Sequence, residues 1–462
     1  GFRLTRFEAA IFATLSIGFG VGVADTSSAQ TIHYVSKTAT GSADGSTWAD
    51  AFTTVGAAVG SAISGDELWV AATGTYVENV ILADGVEVYG GFSGTETLRT
   101  QRDWITNVTT LDGGGSGHVV EGAEGAILDG FTIQNGNASG SFPDNSGGGI
   151  LTFQLTMEIR NCNIQHNTAV NGGGLLLYQG APLVADCTIQ NNSGTGSVGG
   201  IYGFDSNCIV DNCIIVNNDN RAVNINSSAV MRDTLVDSNP EGGAQARGNA
   251  QVIDCTLTNN FGATEGSGIR IFDSAVITGS NISNNVSTLR GGGVWAGGTA
   301  TIQDCRIENN SSQSGGGLYS ASSSPSIDDS VFAGNVASYA GGGIYGVDYT
   351  GSISNCTFYD NTGQDPTDQG GAMIFWSTVP TVNSSIMWNN NPDEISGSGS
   401  GANVTYSIVE GGYAGTGNLN QDPLFVNAGA QDFHLQAGSP AIDAGDTSLS
   451  NDPDATRADM GA

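Results

Sequence analysis

Few side chains in this sequence are equipped to move a proton. The four histidines, His33, His118, His166 and His434, are scattered, and Lys37 is the only lysine beside twelve arginines. Hydrolysis of a glycosidic bond needs two carboxyl groups flanking that bond, one to protonate and one to activate water or attack. No Asn-Thr-Asp or His-Gly phrase offers such a centre. A β-elimination would need a carboxylate cluster holding calcium and a base, and with one lysine the base would be arginine. Asp205, Asp219 and Asp273 come nearest to Arg247 and Arg270 without clustering beside them. The cysteines recur at intervals far too long for a metal-ligand pattern. The Gly-Gly-x-Gly-x-Asp nonapeptide of calcium-binding β-rolls is missing. The Asp328-Asp329 pair and the Asp452/Asp454 cluster offer at most weak calcium ligation at turns. No catalytic residue, metal site or cofactor is assigned on this reading.

Recognition chemistry is better represented. Tyr202, Arg247, Arg270, Trp295, Tyr319 and Tyr345 combine aromatic faces, which stack on sugar rings, with guanidinium groups, which pair with uronate or sulfate. They form a candidate glycan-binding site only if the fold places them on one face.

The elements that would do so are repeats. The phrase Asp186-Cys187-Thr188-Ile189-Gln190-Asn191-Asn192 returns at Asn212–Asn218, Asp254–Asn260, Asp304–Asn310 and Asn355–Asn361, with degenerate copies between. Its small position runs Cys162, Cys187, Cys213, Thr234, Cys255, Ser280, Cys305, Ser330, Cys356 and Ser384, mostly about 25 residues apart, a repeat-protein period. Two residues on stands an apolar side chain, from Ile164 to Ile386. Five residues on stands asparagine every time: Asn167, Asn192, Asn218, Asn239, Asn260, Asn285, Asn310, Asn335, Asn361 and Asn389. A second phrase, a glycine cluster and then an apolar residue, includes Gly173-Gly174-Leu175 and Gly292-Gly293-Val294. No helical apolar period lies between the two phrases, which excludes βαβ units.

Short strands with this period stack in parallel, each about 4.8 Å from its counterpart. Alternation along a strand points the small residue and the apolar residue inward together. Asparagine tolerates the left-handed backbone of a sharp corner, and stacked amides hydrogen-bond along a column. The asparagines are therefore expected to be a structural ladder. The fold expected is all-β, a single right-handed parallel β-helix of roughly 12 or more coils. Six of the seven cysteines fall in the small inward position, as buried thiols filling a narrow core. Bridges such as Cys162–Cys187 or Cys187–Cys213 are the alternative in an oxidising compartment.

Counting outward positions from the glycine phrase gives one stripe: Leu151, Leu176, Tyr202, Asn224, Arg247, Arg270, Trp295, Tyr319, Tyr345 and Ile374. It reads either as a glycan track or as an aromatic ladder that shields strand stacking, its arginines offsetting local negative charge.

Residues 1–30 read as a signal peptide. Arg3 and Arg6 precede an apolar run from Ala9 to Val23, and Ser27-Ser28-Ala29 supplies small residues for cleavage. The mature chain is thus expected outside the cell or on its outer surface, with no membrane insertion. Residues 31–119 form an N-terminal cap and first coils, 120–412 the regular coils and 413–462 a closing segment. The alanine-rich Asp50–Ile63 stretch is expected to form a short capping helix. A net charge of −32 argues against nucleic-acid partners, whose phosphates demand Lys and Arg.

These motifs resemble the repeats of polymorphic outer-membrane proteins and bacterial surface β-helix proteins of the pectin-lyase-like fold. The resemblance extends to His33-Tyr34-Val35-Ser36, Gly65-Asp66-Glu67-Leu68-Trp69-Val70-Ala71 and Leu128-Asp129-Gly130-Phe131-Thr132-Ile133. At the other end it includes Asp422-Pro423-Leu424-Phe425 and Gly438-Ser439-Pro440-Ala441-Ile442-Asp443. It implies a secreted or surface-displayed protein, often an adhesin. The leading expectation is a non-catalytic attachment protein with a carbohydrate-binding face. The alternatives are a secreted polysaccharide lyase or glycoside hydrolase, and a structural spacer or fibre subunit.

Overall fold

The computed structural model describes residues 30–262, 264–365, 370–397, 401–449 and 455–462. The expected leader, apart from Gln30, lies outside the described residues, as do Asp452 and Asp454. From Thr31 onward the chain winds as a right-handed parallel β-helix of about 13 turns.

Each full coil contributes one short strand to each of three sheets, stacked in chain order. The first sheet has 15 strands, from Ile32–Val35 to Asn403–Thr405. The second has 14, from Thr75–Val77 to Ile408–Val409, and the third stacks 13, from Val80–Ile81 to Ile395–Ser396, with Thr168–Asn171 pairing beside it as a fourteenth. The cysteine phrase builds the second sheet and the glycine phrase the third. Strands of the first sheet, such as Leu183–Ala185 and Ile209–Asp211, escaped the repeat pattern. Their three residues carry little more than one inward side chain, Val184 or Val210.

The register holds coil after coil. Ile164 pairs with Ile189, which pairs with Ile215, then Val236, Leu257, Ile282, Ile307, Phe332 and Phe358. All of these are buried and belong to one continuous apolar column. Burial of a Val, Leu or Ile side chain contributes roughly 1.5–3 kcal/mol, so the column is the main driving force for winding.

The corner between the second and third sheets is built on the asparagines. Asn285 Nδ2 donates to Asn310 Oδ1 at 3.0 Å and to Leu257 O at 2.9 Å, and its backbone N–H donates to Asn310 Oδ1 at 2.9 Å. The same three bonds recur from Asn167 onward, for example at Asn192, Asn260 and Asn335. One expectation is corrected. The ladder asparagines do not themselves take the left-handed backbone; the residue before each one does, as at Asn191 (φ 53°), Asn259 (φ 53°), Asn284 (φ 56°) and Asn309 (φ 54°). That residue turns the chain at the exposed corner, which leaves the next side chain aimed inward. The last rung is corrected as well. Asn389 is exposed and left-handed (φ 62°), and the buried Asn390 accepts from Asn361 instead. This coil is longer than the sequence spacing suggested, so Cys356 N–H reaches Ser385, 29 residues on, rather than Ser384, and Phe358 pairs with Met387 rather than Ile386.

The small column does more than fill space. Several backbone N–H groups there donate to the sulfur or hydroxyl one coil on: Cys162 to Cys187, Cys213 to Thr234, Cys255 to Ser280, Cys305 to Ser330. This polar role explains why Cys, Ser and Thr interchange there. All seven cysteines are free and buried. Burial pushes the Cys255 and Cys305 thiols up to about 12.

The glycine phrase answers the ladder. A Cβ on Gly268 would lie 2.5 Å from Gly293 O and 2.9 Å from Asn285 Nδ2, so only glycine lets the third strand approach the asparagines.

Both ends of the core are covered. A short helix, Val55–Val59 (α1), buries Val55, Ala58 and Val59 against the first coils, and Thr54 caps it by accepting from Ala57 N–H. At the other end Tyr413 packs on the core and the strands Phe425–Asn427 and Asp432–Leu435 pair antiparallel. Phe433 lies against Val331 and Ala333 of the second sheet, so the closing segment folds back along the solenoid's flank. The ladder itself ends on Glu394, whose carboxyl accepts from Asn390 Nδ2 at 2.5 Å and from its backbone N–H at 3.2 Å. Burial, opposed by those hydrogen bonds and reinforced by the neighbouring Glu410, pushes Glu394 up to about 8.

Two outcomes are expected. Asn285→Ala strands the Asn260 N–H and amide and costs about 3 kcal/mol or more, whereas Asn284→Gly one residue earlier changes stability by no more than about 0.5 kcal/mol; urea unfolding of both variants checks this. Because the folded value of Glu394 is raised, its stabilisation is full below an ordinary value of 4.5 and is lost as pH rises through about 8. The melting temperature should fall across that window, and Glu394→Gln should flatten the fall.

Candidate functional site: the outward face of the third sheet

Alternation along third-sheet strands places every second side chain outside. One outward row runs Leu176, Tyr202, Asn224, Gln245, Arg270, Trp295, Tyr319, Tyr345 and Ile374 by direct pairing. Five of the six candidate glycan-binding residues therefore share a row: Tyr202, Arg270, Trp295, Tyr319 and Tyr345. Arg247 does not. Gln245 takes its place, and Arg247 stands one outward position further along its strand. The inward residue of this coil is the small Ala244, not an Ile or Leu, so counting from large apolar residues slips by two. A slip of two keeps the face, and Arg247 still points outward.

Arg247 belongs to a parallel outward row that the repeat pattern did not reveal. That row begins Phe153, Tyr178, Phe204. Phe153 and Tyr178 stack with centroids 4.8 Å apart, Tyr178 and Phe204 at 5.8 Å, and Phe204 also stacks on Tyr202 at 5.5 Å. Further along, the Arg247 guanidinium sits 4.2 Å from the centre of the Phe272 ring, and Phe272 lies 4.8 Å from Trp295. The signal was available in the sequence as Phe, Tyr and Phe two residues beyond each glycine-phrase outward position.

Toward the C-terminal end, Tyr319 and Tyr345 stack nearly parallel at 5.4 Å, and Arg290 lies 5.1 Å over Tyr319. With Tyr339, Gln313 and Ser314 they line a groove of about 240 Å³. Tyr319 is 6% exposed, while Tyr202, Trp295 and Tyr345 are partly open to solvent. Burial raises Tyr202 and Tyr319 above the ordinary phenol value, so both remain neutral hydroxyl donors.

The residues considered for acid–base or metal chemistry do not converge on this face. Asp205 and Asp273 sit in turns after third-sheet strands, accepting from Gln179 Nε2 and Gly248 N–H, whereas Asp219 precedes its strand. His33 pairs with Asp66, His118 Nδ1 lies 2.9 Å from Gly147 O, His434 pairs with Asp432, and His166 occupies an exposed left-handed corner. Asp328 and Asp329 lie near the corner between the first and second sheets. Burial first raises both carboxyls; Asp329 and Asp304 then repel Asp328, while at Asp329 a hydrogen bond with Asn355 opposes the rise and Asp304 adds to it. Among the described residues no group of three His, Cys, Asp or Glu side chains is placed to hold a metal ion.

A family model described as "Right handed beta helix region" matches residues 84–260 and 244–409. The chain belongs to that family. No curated protein matches it. Among solved structures, this β-helix is similar to pectate lyase Pel9A at 14% identity, over 94% of this chain and 96% of that one, with a TM-score of 0.34.

The posture of Trp295 in this β-helix depends on Gly297, where a Cβ would come within 2.8 Å of the indole ring and 3.4 Å of Phe272. Gly297→Ala is expected to push the ring off its seat with the fold kept. A shifted tryptophan emission with an unchanged far-ultraviolet circular dichroism spectrum would report it.

Proposed function

We propose that this β-helix is an exported, surface-displayed or secreted, non-catalytic attachment protein that binds polysaccharide or a cell-surface glycan along the outward rows of its third sheet. The observation that carries the reading is the juxtaposition of Tyr202, Arg270, Trp295, Tyr319 and Tyr345 in one row, with a second aromatic row and Arg247 beside it. Flat rings repeating at the coil spacing suit a polymer of sugar rings, because each ring presents an apolar face bordered by polar groups. Hydroxyl donors and guanidinium groups beside the rings supply the directional contacts. The leader-like residues 1–30 support export, and the charge of −32 disfavours nucleic acid and anionic lipid as partners. Among the described residues no helix is long and apolar enough to cross a membrane.

The non-catalytic part of the proposal rests on the scatter of Asp205, Asp219, Asp273 and the four histidines, which do not converge on the arginine-bearing rows; the carboxylate that does reach them, Glu265, is held by Arg270 and Arg290. An efficient lyase or hydrolase would need them within reach of the same bond.

The test offers the purified chain a panel of neutral and acidic polysaccharides and records both binding and the appearance of reducing or unsaturated ends. Binding without new ends, weakened about tenfold by Trp295→Ala or Tyr345→Ala, is the expected result. New ends would replace attachment with the lyase or hydrolase reading. No binding to any polymer would leave a structural spacer.

A further inference from the structure

Most coils take 25 or 26 residues, but the two from Cys213 to Thr234 and from Thr234 to Cys255 take 21. The missing residues come from the segment between the ladder asparagine and the third sheet. In the coils before, that segment forms Thr168–Asn171 and the start of Ser193–Phe204, which pair with each other. In the coils after, it forms a separate strip of five strands beginning at Phe261–Gly262. Between Asn218 and Arg221, and between Asn239 and Ala244, no such strand exists. The rim beside the third sheet is therefore notched at two successive coils.

Arginines gather at this notch. Arg221 opens its third-sheet strand, and the position one coil on is Gly242, where a Cβ would sit 3.4 Å from the guanidinium. The Arg221 side chain accordingly lies across the next coil and donates to Ala244 O at 3.0 Å. Arg270 donates to Glu265 O at 2.8 Å and to Thr264 Oγ1 at 3.0 Å, and Arg247 lies over Phe272. Burial first, and then the neighbouring Arg270 and Arg247, pushes Arg221 down to about 9, and burial together with Arg247, opposed by Glu265, lowers Arg270. Neither Arg221 nor Arg247 forms an ion pair with a described residue; Glu265 stands 3.8 Å from Arg270 and is shared with Arg290. A chain of net charge −32 has ample carboxylates with which to neutralise three arginines, yet leaves this group short of them. Recessed charge without a partner is costly unless something else supplies the counter-charge.

We propose that the notch binds the anionic substituent of an acidic polysaccharide, a sulfate ester or a uronate carboxylate, among Arg221, Arg247 and Arg270, with Phe272 and Trp295 beside it. The sugar as carrier of the anion rests on the attachment reading; the anion site itself rests on the arginines and the shortened coils. Two or three charge-assisted hydrogen bonds from guanidinium groups suit either anion.

The full chain is titrated at low salt with dextran sulfate, polygalacturonate, neutral dextran and sodium sulfate by calorimetry, beside Arg221→Gln, Arg247→Gln and, as a control on the first sheet, Arg232→Gln. The result expected is that an anionic polymer binds more tightly than neutral dextran. Its affinity falls with salt, by at least about tenfold in Arg221→Gln or the exposed Arg247→Gln, and is unchanged in Arg232→Gln. The sulfated and carboxylated polymers separate the two substituents. Equal affinity for neutral dextran, or arginine variants that bind anionic polymer like the parent, overturns the notch and leaves glycan attachment standing. Arginine-dependent binding of sulfate without any polymer binding keeps the notch and removes the glycan. Binding of neither overturns both.

Discussion

The whole molecule depends on a buried asparagine amide that bonds to its own copy one coil away. A β-helix must turn a corner every few residues, and each corner strands backbone groups away from both water and a neighbouring strand. Here the Oδ1 of each ladder asparagine accepts the backbone N–H and the Nδ2 of the preceding one, while its own Nδ2 also reaches a carbonyl one coil back. Among the described residues no side-chain atom of a ladder asparagine is buried without a partner. Because the acceptor is always the equivalent residue, a slip of register by one position would break every rung at once.

Other sequence features follow from that column. Glycine precedes the third-sheet strands because the amides pass too close for a Cβ. The residue before each asparagine turns the backbone through the left-handed region and is therefore most often Asn, the residue that tolerates it best. Cys, Ser and Thr interchange at the other corner, where the position takes a small side chain, and at Cys187, Thr234 and Ser280 its sulfur or oxygen accepts an N–H from the coil before. The column needs a terminus. At the C-terminal end Glu394 supplies acceptor oxygens where another asparagine would otherwise stand.

Rigid register is also what gives the outward face its character. Side chains that repeat once per coil become rows, and rows of rings stack on one another whether or not a ligand is present: Phe153 on Tyr178, Tyr319 on Tyr345. Part of that aromatic surface thus stabilises the solenoid. The arginines differ in kind. Arg221 and Arg247 have no ion-pair partner among the described residues, and they occur where two coils are short and the flanking strip of strands is interrupted.

By itself the sequence determined the solenoid, its inward column and the existence of an asparagine ladder, because each recurs with the coil and a period survives without knowledge of contacts. It also placed Tyr202, Arg270, Trp295, Tyr319 and Tyr345 on one face, since alternation along a strand is local. Only the tertiary structure decided which asparagine is the rung and which is the turn, since adjacent residues of one type differ solely in backbone angle and burial. It alone put Gln245 rather than Arg247 in the first row, moved the last rung from Asn389 to Asn390 and brought Arg221 toward Arg270. A coil that is shorter or longer than its neighbours changes what lies opposite what, and pairing across coils is a property of the stack rather than of the repeat.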